Sequence, residues 1–231
     1  MTREKPANDE YYHIYNRGTD KRSIFTEKVD QTRFLKSIIA FNTIKPVGSL
    51  YHADRLRDTL FDRASKSEKL VEVIAYCLNM NHYHLILRQV AENGISEFMK
   101  RLGGGYTYYF NEKYDRSGVL FQGKYKHKHI HNDTYLKHLS VYVNLNYEVH
   151  KYSGPTSTSF YSSSWDEYVD SGKVRYKMCT TNIILSDFSS IEDYKVFASE
   201  ALNIILKNKE IKEEVEFNKP KKEIVFKKIK T

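Results

Sequence analysis

The order of hydrophobic periodicities along residues 9–149 strongly limits the folds open to this chain. Strand-like segments are separated by segments whose apolar residues recur at helical spacing. The strand-like segments are Tyr11–Asn16, Val71–Leu78, Tyr83–Val90 and Gly118–Ile130, and the helical segments begin near Thr26, Ser96 and Asp133. The order strand, helix, strand, strand, helix, strand, helix predicts an α+β fold of the ferredoxin-like split β-α-β type, an antiparallel sheet with helices on one face.

Glycine and capping residues predict where two of the helices bend and begin. Gly103–Gly105 lie inside the second helical segment, where glycine is unfavourable, so we expect a kink or hinge there. Asp133 can cap the third helix, which we expect to run from Thr134 to about Glu148. The three glycines lack the pattern of a nucleotide-binding loop, so the sequence predicts no nucleotide cofactor.

The composition changes after His150. Ser153–Ser159 consists of serine, threonine, glycine and proline, as linkers often do. We therefore expect a domain over residues 1–150 and a C-terminal extension over residues 151–231. The extension is expected to be partly helical, over Ile191–Leu206, and to end in a lysine-rich tail from Lys207.

A basic composition favours a polyanionic partner. The 231 residues carry a formal net charge of +8, and 40% of them are hydrophobic, which suffices for a buried core. No apolar run approaches the roughly 20 residues that a membrane helix needs, and the polar start Met1–Lys5 lacks the apolar segment of a secretion signal. We expect a cytoplasmic protein without a membrane partner. Cys77 and Cys179 are too few for a disulfide framework.

Positive charge is concentrated just before and at the start of the third helix. Between Lys113 and Lys137 six Lys or Arg residues stand against two Asp or Glu residues, with aromatic residues among them. Basic groups can pair with phosphates while aromatic faces stack on unpaired bases, so this composition favours single-stranded nucleic acid, although a solvated surface can have the same composition. The candidate DNA-binding residues are Arg17, Lys113, Arg116, Lys124, Tyr125, Lys126 and Lys128.

Two histidines open the third predicted strand. Side chains at positions i and i+2 of a strand point to the same face, so His82 and His84 can present two nitrogen ligands to one metal ion. Two ligands leave most of the coordination sphere of a divalent ion open, which suits catalysis better than a closed structural site. Ordinary strands also contain such histidine pairs, so this interpretation needs a third ligand and a nucleophile.

The third helix can supply both groups. Tyr142 and Asn146 are one turn apart, on the face that also carries Tyr135 and Leu139. If this face covers the sheet near the two histidines, the Asn146 carbonyl oxygen can be a third ligand while the Tyr142 oxygen faces a phosphate. A phenol with a pKa of about 10 is a poor nucleophile, but a nearby cation favours the phenolate. The arrangement implies covalent cleavage of a DNA strand, and amphipathic packing is the alternative reading of Tyr142.

A second histidine cluster competes with this site. His127, His129 and His131 alternate, so they share one face if the last strand extends that far, and three imidazoles outnumber two. Lysines crowd the same strand and no cysteine or carboxylate stands beside it, so we expect phosphate contact or plain surface there instead of zinc. His138, one turn before Tyr142, is a weaker candidate for accepting the phenol proton.

Four blocks of the sequence resemble a known family. They are His13–Gly18, Tyr76–His84, Phe110–Asn111 with Ser117–Lys126, and Tyr142–Asn146, and they span about residues 9–150 in order. The blocks resemble the single-tyrosine HUH transposases and, within them, the REP-associated tyrosine transposase group. Tyr147 departs from the resemblance because many relatives have proline there, so the end of the helix can differ in shape.

The resemblance implies a transposase that cuts and rejoins single-stranded DNA and recognises a hairpin beside the cleavage site. It implies that His82, His84 and Asn146 bind Mg²⁺ or Mn²⁺, and that Tyr142 forms a 5′-phosphotyrosine while releasing a 3′-OH. Single-stranded or hairpin DNA is the expected partner, and a homodimer is a candidate assembly. The alternative is a nucleic-acid-binding module that keeps the fold but does no chemistry. A replication initiator or relaxase of the wider HUH class is disfavoured by the chain length.

Overall fold

An antiparallel sheet forms the centre of the structure. The computed structural model describes residues 5–46, 64, 66–150, 161–174 and 176–217. Its strands are β1 (Tyr11–Arg17), β2 (Val71–Asn79), β3 (His82–Gln89), β4 (Lys126–Ile130) and β5 (Ser162–Ser163). They pair in the order β4, β1, β3, β2, β5, and these pairings are antiparallel. The first four strands have the order of a split β-α-β unit, so the predicted α+β class is confirmed.

Seven α-helices accompany the sheet within the described ranges. They are α1 (Lys28–Phe41), α2 (Gly94–Lys113), α3 (Asp133–Asn144), α4 (Asn146–Val149), α5 (Trp165–Val169), α6 (Asn182–Leu185) and α7 (Ile191–Phe217). The crossover from β1 to β2 contains α1, and the crossover from β3 to β4 contains α2. The helix α3 follows β4 after a short turn and belongs to neither crossover.

The two crossover helices cover one face of the sheet. Ile14, Leu78 and Leu85 of the strands are buried in a core with side chains of α1 and α2. Phe34 of α1 and Tyr106 of α2 meet edge to face, with ring centroids 4.9 Å apart. Since burial of apolar surface is the main favourable term in folding, this core anchors β1, β2 and β3.

The opposite face of the sheet is covered by α3 and the C-terminal helices. Ala75, Ile86 and Ile130 of the strands pack with Leu139 of α3 and Ala198 of α7 in a second core. The prediction of helices on one face alone is therefore wrong. The strands β2 and β3 are buried along nearly their whole length, so both of their faces need a covering layer.

Two predictions about the elements that contain glycine differ from the structure, one about a helix and one about a strand. The helix α2 continues through Gly103–Gly105 without a break. A β-carbon at Gly105 would lie 2.6 Å from Phe41 Cε2, so this glycine permits close packing of α2 against α1. The predicted strand over residues 118–130 is confined to β4, because Gly118 and Gly123 have φ angles of 82° and 73° that interrupt extended backbone.

The third helix also differs from its prediction at both ends. Asn132 caps it, because its side-chain oxygen accepts a hydrogen bond from the backbone nitrogen of Tyr135 at 2.8 Å, and Asp133 is the first helical residue. The helix ends at Asn144 instead of Glu148. Leu145 (φ −108°, ψ 20°) separates it from α4, which Asn146 opens.

The turn between β2 and β3 determines where β3, the strand that carries His82 and His84, begins. The Met80 carbonyl accepts hydrogen bonds from the backbone nitrogens of Ile24 and Phe25, at 2.8 and 3.0 Å. The Asn81 carbonyl accepts one from the nitrogen of Gly18, at 2.9 Å. His82 therefore opens β3, as predicted.

The described part of the C-terminal extension packs on the sheet. Ser163 of β5 pairs with Cys77 of β2, and the Tyr168 hydroxyl donates to the Ile74 carbonyl at 2.8 Å. The predicted linker at Ser153–Ser159 and the tail beyond residue 217 lie outside the described residues, and the domain boundary near residue 150 stays a prediction. Of the helices in the described ranges, none is both long and apolar enough to cross a membrane.

Candidate functional site

His82 and His84 lie on the face of β3 that α3 covers. Strand alternation points both rings to this face, with ring centroids 5.2 Å apart and ring planes at 89°. The neighbouring strand β1 adds two rings to the same face, since the centroids of His13 and Tyr15 lie 5.0 and 5.9 Å from that of His84. The two predicted ligands thus stand in a cluster of aromatic rings from two strands.

His82 is bonded through both ring nitrogens. Its Nδ1 lies 2.7 Å from Oδ1 of Asn81. Because an amide oxygen only accepts hydrogen bonds, Nδ1 carries the ring proton and Nε2 keeps its lone pair. Nε2 accepts a hydrogen bond from Nδ2 of Asn79 at 3.0 Å and lies 3.3 Å from Oδ1 of Asn146.

Asn146 is fully buried next to His82. Its Oδ1 accepts a hydrogen bond from Nδ2 of Asn79 at 2.7 Å. It reaches this place because the chain turns at Leu145, between α3 and α4. Its other amide atom, Nδ2, is buried and makes no hydrogen bond with the residues that the structure describes. The structure brings the predicted third ligand beside the first.

His84 makes a hydrogen bond with a histidine that the sequence did not single out as a site residue. Its Nδ1 lies 2.8 Å from Nε2 of His13, and the two ring planes differ by 21°. Only the other nitrogen of His84, Nε2, is left for any further ligand. The contact joins residues 71 positions apart in sequence, through the antiparallel pairing of β1 and β3.

Burial keeps these histidines uncharged. It lowers the pKa of His82 to about 4, and the neighbouring His150 adds to this shift. Burial likewise lowers the pKa of His13 to about 4, with a contribution from the Lys128 charge, and it holds the pKa of His84 well below its usual value. An uncharged imidazole is the form whose nitrogen binds a metal ion.

Tyr142 of α3 packs against the same histidines. Its ring centroid lies 5.7 Å from that of His84 and 6.3 Å from that of His13, in edge-to-face geometry. Burial raises the pKa of the Tyr142 phenol, and the Asn146 amide acts in the opposite direction. The helix brings its predicted nucleophile to the predicted metal ligands within a single chain.

The types of donor atom here suit a divalent cation, which would replace the hydrogen bonds that Asn79 Nδ2 donates to His82 Nε2 and Asn146 Oδ1. His82 Nε2 and Asn146 Oδ1 converge at 3.3 Å, and imidazole nitrogens together with an amide oxygen suit Mn²⁺, or Mg²⁺ with retained water. Metal-binding histidines commonly use their second nitrogen in a hydrogen bond, as His82 does with Asn81 and His84 does with His13. The residues that would hold the ion are His82, His84 and Asn146.

A cavity of about 610 Å³ opens beside the histidines. Its lining includes His82, His84 and His150 together with Arg17, Lys21 and Lys126. Arg17 stands opposite His82 in the pairing of β1 with β3, and Lys126 stands opposite Tyr15 in the pairing of β1 with β4. Positive side chains therefore border the predicted ligands, and this combination can hold phosphate groups.

Lys128 belongs to the same face of the sheet. Its Nζ lies 5.2 Å from the ring centroid of Tyr135 on α3, and its charge contributes to the lowered pKa of His13. Of the seven predicted DNA-binding residues, the structure brings Arg17, Lys126 and Lys128 to the histidine face.

The other four predicted DNA-binding residues lie elsewhere. Lys124 and Tyr125 line a second cavity of about 550 Å³ that also borders α2, on the opposite face of the sheet. Lys113 Nζ lies 2.7 Å from a carboxylate oxygen of the buried Asp30, and the Arg116 guanidinium donates to the Asn111 side chain and the Val119 carbonyl. Lys113 and Arg116 thus make contacts within the fold.

The competing histidine cluster has other partners. The rings of His127 and His129 lie 5.9 and 5.1 Å from that of Tyr12, and His129 Nε2 lies 2.7 Å from a Glu10 carboxylate oxygen. His131 lies beyond the end of β4. Among the described residues, no group of three His, Cys, Asp or Glu side chains is arranged to hold a metal ion.

His150 and His13 lie near the site but were not predicted as site residues. His138, which was a candidate, lies apart from the site. The His150 ring lies 4.9 Å from that of His82, and the four-residue spacing of Tyr142, Asn146 and His150 is the signal that could have found it. His13 carries no such signal, because only strand pairing brings it to His84. The exposed His138 has its ring 5.0 Å from that of Phe197 on α7.

Comparison with known proteins names a family. A family model described as "Transposase IS200 like" matches residues 7–146, which is more than half of the 231 residues. A solved structure described as a REP-associated tyrosine transposase bound to a REP hairpin covers 77% of this chain and 88% of its own, with 14% sequence identity and a TM-score of 0.48. Among curated proteins, none matches the chain. The match over residues 7–146 includes His82, Tyr142 and Asn146, and the chain belongs to the IS200-like transposase family.

Proposed function

We propose that this transposase is a metal-dependent endonuclease and strand transferase for single-stranded DNA. In this proposal Tyr142 is the nucleophile, and His82, His84 and Asn146 hold Mg²⁺ or Mn²⁺. The observation that supports the proposal is that these residues lie close together within one chain. Asn146 Oδ1 lies 3.3 Å from His82 Nε2, and the Tyr142 ring lies 5.7 Å from the His84 ring.

The proposed reaction is attack by the Tyr142 oxygen on the phosphorus of a DNA phosphodiester. The bond between phosphorus and the 3′ oxygen breaks, the phosphate stays on the tyrosine as a 5′-phosphotyrosine, and the released oxygen takes up a proton to become a 3′-OH. Attack by a 3′-OH on the phosphotyrosine reverses the step and rejoins the strand. The phenol gives up its proton in the first step and regains one in the second.

The environment of Tyr142 disfavours loss of the phenol proton, so the reaction needs groups that assist deprotonation and attack. Burial raises its pKa, so the phenol is protonated near neutral pH. The Asn146 amide opposes this shift. Its Nδ2 is a buried donor that makes no hydrogen bond with the described residues. When bound, the cation would polarise the phosphoryl oxygens and offset the charge that develops on them.

The DNA strand is proposed to follow the positive side chains of the histidine face. Arg17 and Lys126 line the cavity beside His82, and Lys128 lies farther along β4. Such side chains pair with the phosphate backbone without reading the base sequence. A hairpin beside the cleavage site is part of the proposal because the sequence blocks that carry the histidines and Tyr142 resemble REP-associated tyrosine transposases.

The direct test is the covalent adduct. We expect the wild-type protein, with Mn²⁺ and a 3′-labelled hairpin oligonucleotide, to give a labelled protein band on a denaturing gel. Tyr142→Phe should lose this band and keep DNA affinity within about twofold, because it removes only the attacking oxygen. Tyr135→Phe, a half-buried tyrosine of the same helix, is the matched control and should keep the adduct.

The outcome also separates the proposal from a binding module on the same fold. DNA binding by the wild-type protein without any adduct would favour the module. An adduct that persists in Tyr142→Phe would transfer the nucleophile to another tyrosine.

A further inference from the structure

His13 is a buried polar side chain that neither the proposed reaction nor the proposed metal site uses. Only 8% of its surface is exposed, and its ring centroid on β1 lies 5.0 Å from those of both His84 and Tyr15. Its Nε2 lies 2.8 Å from Nδ1 of His84. A hydrogen bond between two buried histidines calls for a physical explanation. Each uncharged ring carries its proton on only one of its two nitrogens, so one ring must donate and the other must accept.

In the hydrogen bond between His13 and His84, only one of the two rings can be the donor at a time. Both imidazoles are buried and uncharged, so each carries one N–H and one lone pair. If His13 donates, His84 Nδ1 is the acceptor and His84 Nε2 carries the proton. If His84 donates, its Nδ1 carries the proton and its Nε2 has a free lone pair.

Only the second direction makes His84 a metal ligand. A metal ion needs the lone pair of a ring nitrogen, and His84 Nδ1 is already occupied by His13. The nitrogen that remains is Nε2. A cation bound at Nε2 would make the Nδ1–H a stronger donor, so the hydrogen bond to His13 and metal binding reinforce each other.

We infer that His13 is a positioning residue that accepts a hydrogen bond from His84 Nδ1 and thereby holds His84 in the tautomer whose Nε2 can bind the metal ion. The inference rests on the proposed function, because it takes His84 as a ligand. His82 offers an internal parallel, since Asn81 Oδ1 accepts from its Nδ1 and leaves Nε2 as the nitrogen with the lone pair. The two ligands would therefore be oriented by different parts of the fold, His82 by the β2–β3 turn and His84 by the strand β1.

The tautomer can be measured without any metal. Long-range ¹H–¹⁵N correlation spectra of the full chain labelled with ¹⁵N-histidine distinguish protonated from unprotonated ring nitrogens. We expect His84 in the wild-type protein to have a protonated Nδ1 and an unprotonated Nε2. In His13→Phe, which keeps a ring but removes the acceptor, we expect His84 to lose this single tautomer.

Metal binding is the second readout. We expect His13→Phe to weaken Mn²⁺ binding by about 10- to 100-fold in calorimetry, the range for residues that orient a ligand. His13→Gln places an amide oxygen near the position of Nε2 and should restore a large part of the affinity. Tyr15→Phe is the matched control, because its ring lies 5.9 Å from that of His84 but it offers His84 no acceptor in this structure.

Each outcome bears on a distinct statement. A wild-type His84 with a protonated Nε2 would overturn the inference, and so would unchanged Mn²⁺ affinity in a folded His13→Phe protein. Equal losses in the Phe and Gln variants would mean that an acceptor at this position does not account for the effect, which would also overturn the inference. If the wild-type protein bound no Mn²⁺ at all, the proposed metal site would fail, while the metal-free spectra would still decide whether His13 sets the tautomer.

Discussion

Asn79 organises the site through a single amide group. Its Nδ2 donates to His82 Nε2 at 3.0 Å and to Asn146 Oδ1 at 2.7 Å. Its Oδ1 lies 3.6 Å from Cys77 Sγ, and burial raises the pKa of that thiol to about 12, so the sulfur keeps its proton and can donate. Cys77 thus fixes which way the Asn79 amide points, and Asn79 in turn holds two predicted ligand atoms close together.

Removal of the predicted ligands should have graded effects on metal binding. We expect His82→Ala and His84→Ala each to weaken Mn²⁺ binding by more than about 100-fold, beyond the range for residues that merely orient a ligand. Asn146→Ala should cost less, about tenfold, because an amide oxygen is a weaker donor for Mn²⁺ than an imidazole. Calorimetric titration measures all three.

His138→Ala is the control for that series. It removes an exposed imidazole from α3 and should leave Mn²⁺ affinity unchanged. If a protein without both His82 and His84 bound Mn²⁺ as tightly as the wild type, the ion would sit elsewhere. The cluster from His127 to His131 would then be the next place to examine.

The crossover helices α1 and α2 are joined by one buried carboxylate. Asp30 is fully buried and accepts hydrogen bonds from the backbone nitrogens of Thr26 and Glu27, at 2.8 and 2.9 Å. At the end of α2, Lys113 Nζ and the Tyr114 hydroxyl donate to it, both at 2.7 Å. It therefore caps the start of α1 and also ties α1 to the end of α2.

Asp30→Asn should destabilise the fold markedly. We expect a loss of about 3 kcal/mol in the free energy of unfolding, because the substitution leaves Lys113 without its buried partner and removes acceptor capacity. Urea unfolding at pH 7 measures it. Glu97→Gln removes a partly exposed ion pair with Arg101 on the same helix α2 and should cost less than about 1 kcal/mol.

The pH dependence of the same carboxylate follows from its pKa. Burial alone would raise the Asp30 pKa, but hydrogen bonds from Lys113 and Tyr114 outweigh it, so the pKa is lowered. Below the unfolded value near 4 the unfolded chain binds a proton that the folded protein does not. This stabilisation is complete above that pH and is lost as pH falls through the lowered folded pKa. The wild type should lose this part of its stability in acid, whereas Asp30→Asn should lack that part of the dependence.

The C-terminal helices hold the helix that carries Tyr142. Asn144 at the end of α3 donates to the Tyr194 hydroxyl of α7 at 3.2 Å, and its side-chain oxygen accepts from Ser164. Lys209 of α7 donates to the carbonyl of Val149, the last residue of α4, at 2.6 Å. The described part of the extension is therefore packed against the two helices that present Tyr142 and Asn146.

Tyr194→Phe should lower strand cleavage more than DNA binding. Loss of one buried hydrogen bond should cost about 1 kcal/mol of stability and loosen the end of α3. We expect the rate of adduct formation to fall severalfold while DNA affinity stays within about twofold. Tyr108→Phe, at a residue that is 59% exposed, is the matched control. Equal rates in the two variants would mean that this hydrogen bond does not position Tyr142.

Across the protein as a whole, the two faces of the sheet divide the basic residues. Lys126 and Lys128 occupy the face of the histidines, and alternation along β4 sends His127 and His129 to the other face with Tyr12. Lys100 and Lys124 line the cavity that borders α2 on that other face. The number of charges does not distinguish the lysines on the histidine face from those on the α2 face. Their positions do, and they predict that the lysines on the histidine face contact DNA.

Removal of lysines from the histidine face should flatten the salt dependence of DNA binding. We expect Lys126→Ala with Lys128→Ala to reduce the slope of log affinity against log salt by roughly 0.7 to 0.9 for each phosphate group that the protein no longer neutralises. Affinity should fall alike for hairpin and unrelated single-stranded DNA, without a change in the cleavage position. Fluorescence anisotropy over a salt series is the measurement. Lys100→Ala with Lys124→Ala is the matched charge control, and a larger slope change there would place the DNA backbone on the other face.

Much of the site could be predicted from local patterns. Two-residue alternation along a strand dictates that His82 and His84 share a face, and four-residue spacing dictates that Tyr142 and Asn146 share one. The order of strands and helices led to the antiparallel sheet. These features depend on backbone geometry over a few residues, which any stretch of sequence displays directly.

Long-range pairing accounts for what the patterns missed. His13 meets His84 only because β1 and β3 pair in one particular register, across 71 positions of sequence. The helix α3 covers the face opposite α1 because the strands are apolar on both sides, and periodicity does not say which helix covers which side. Asn146 faces His82 because the chain turns at Leu145, where the predicted helix was continuous. Contacts between distant segments depend on how whole faces pack, and a local pattern carries no information about its distant partner.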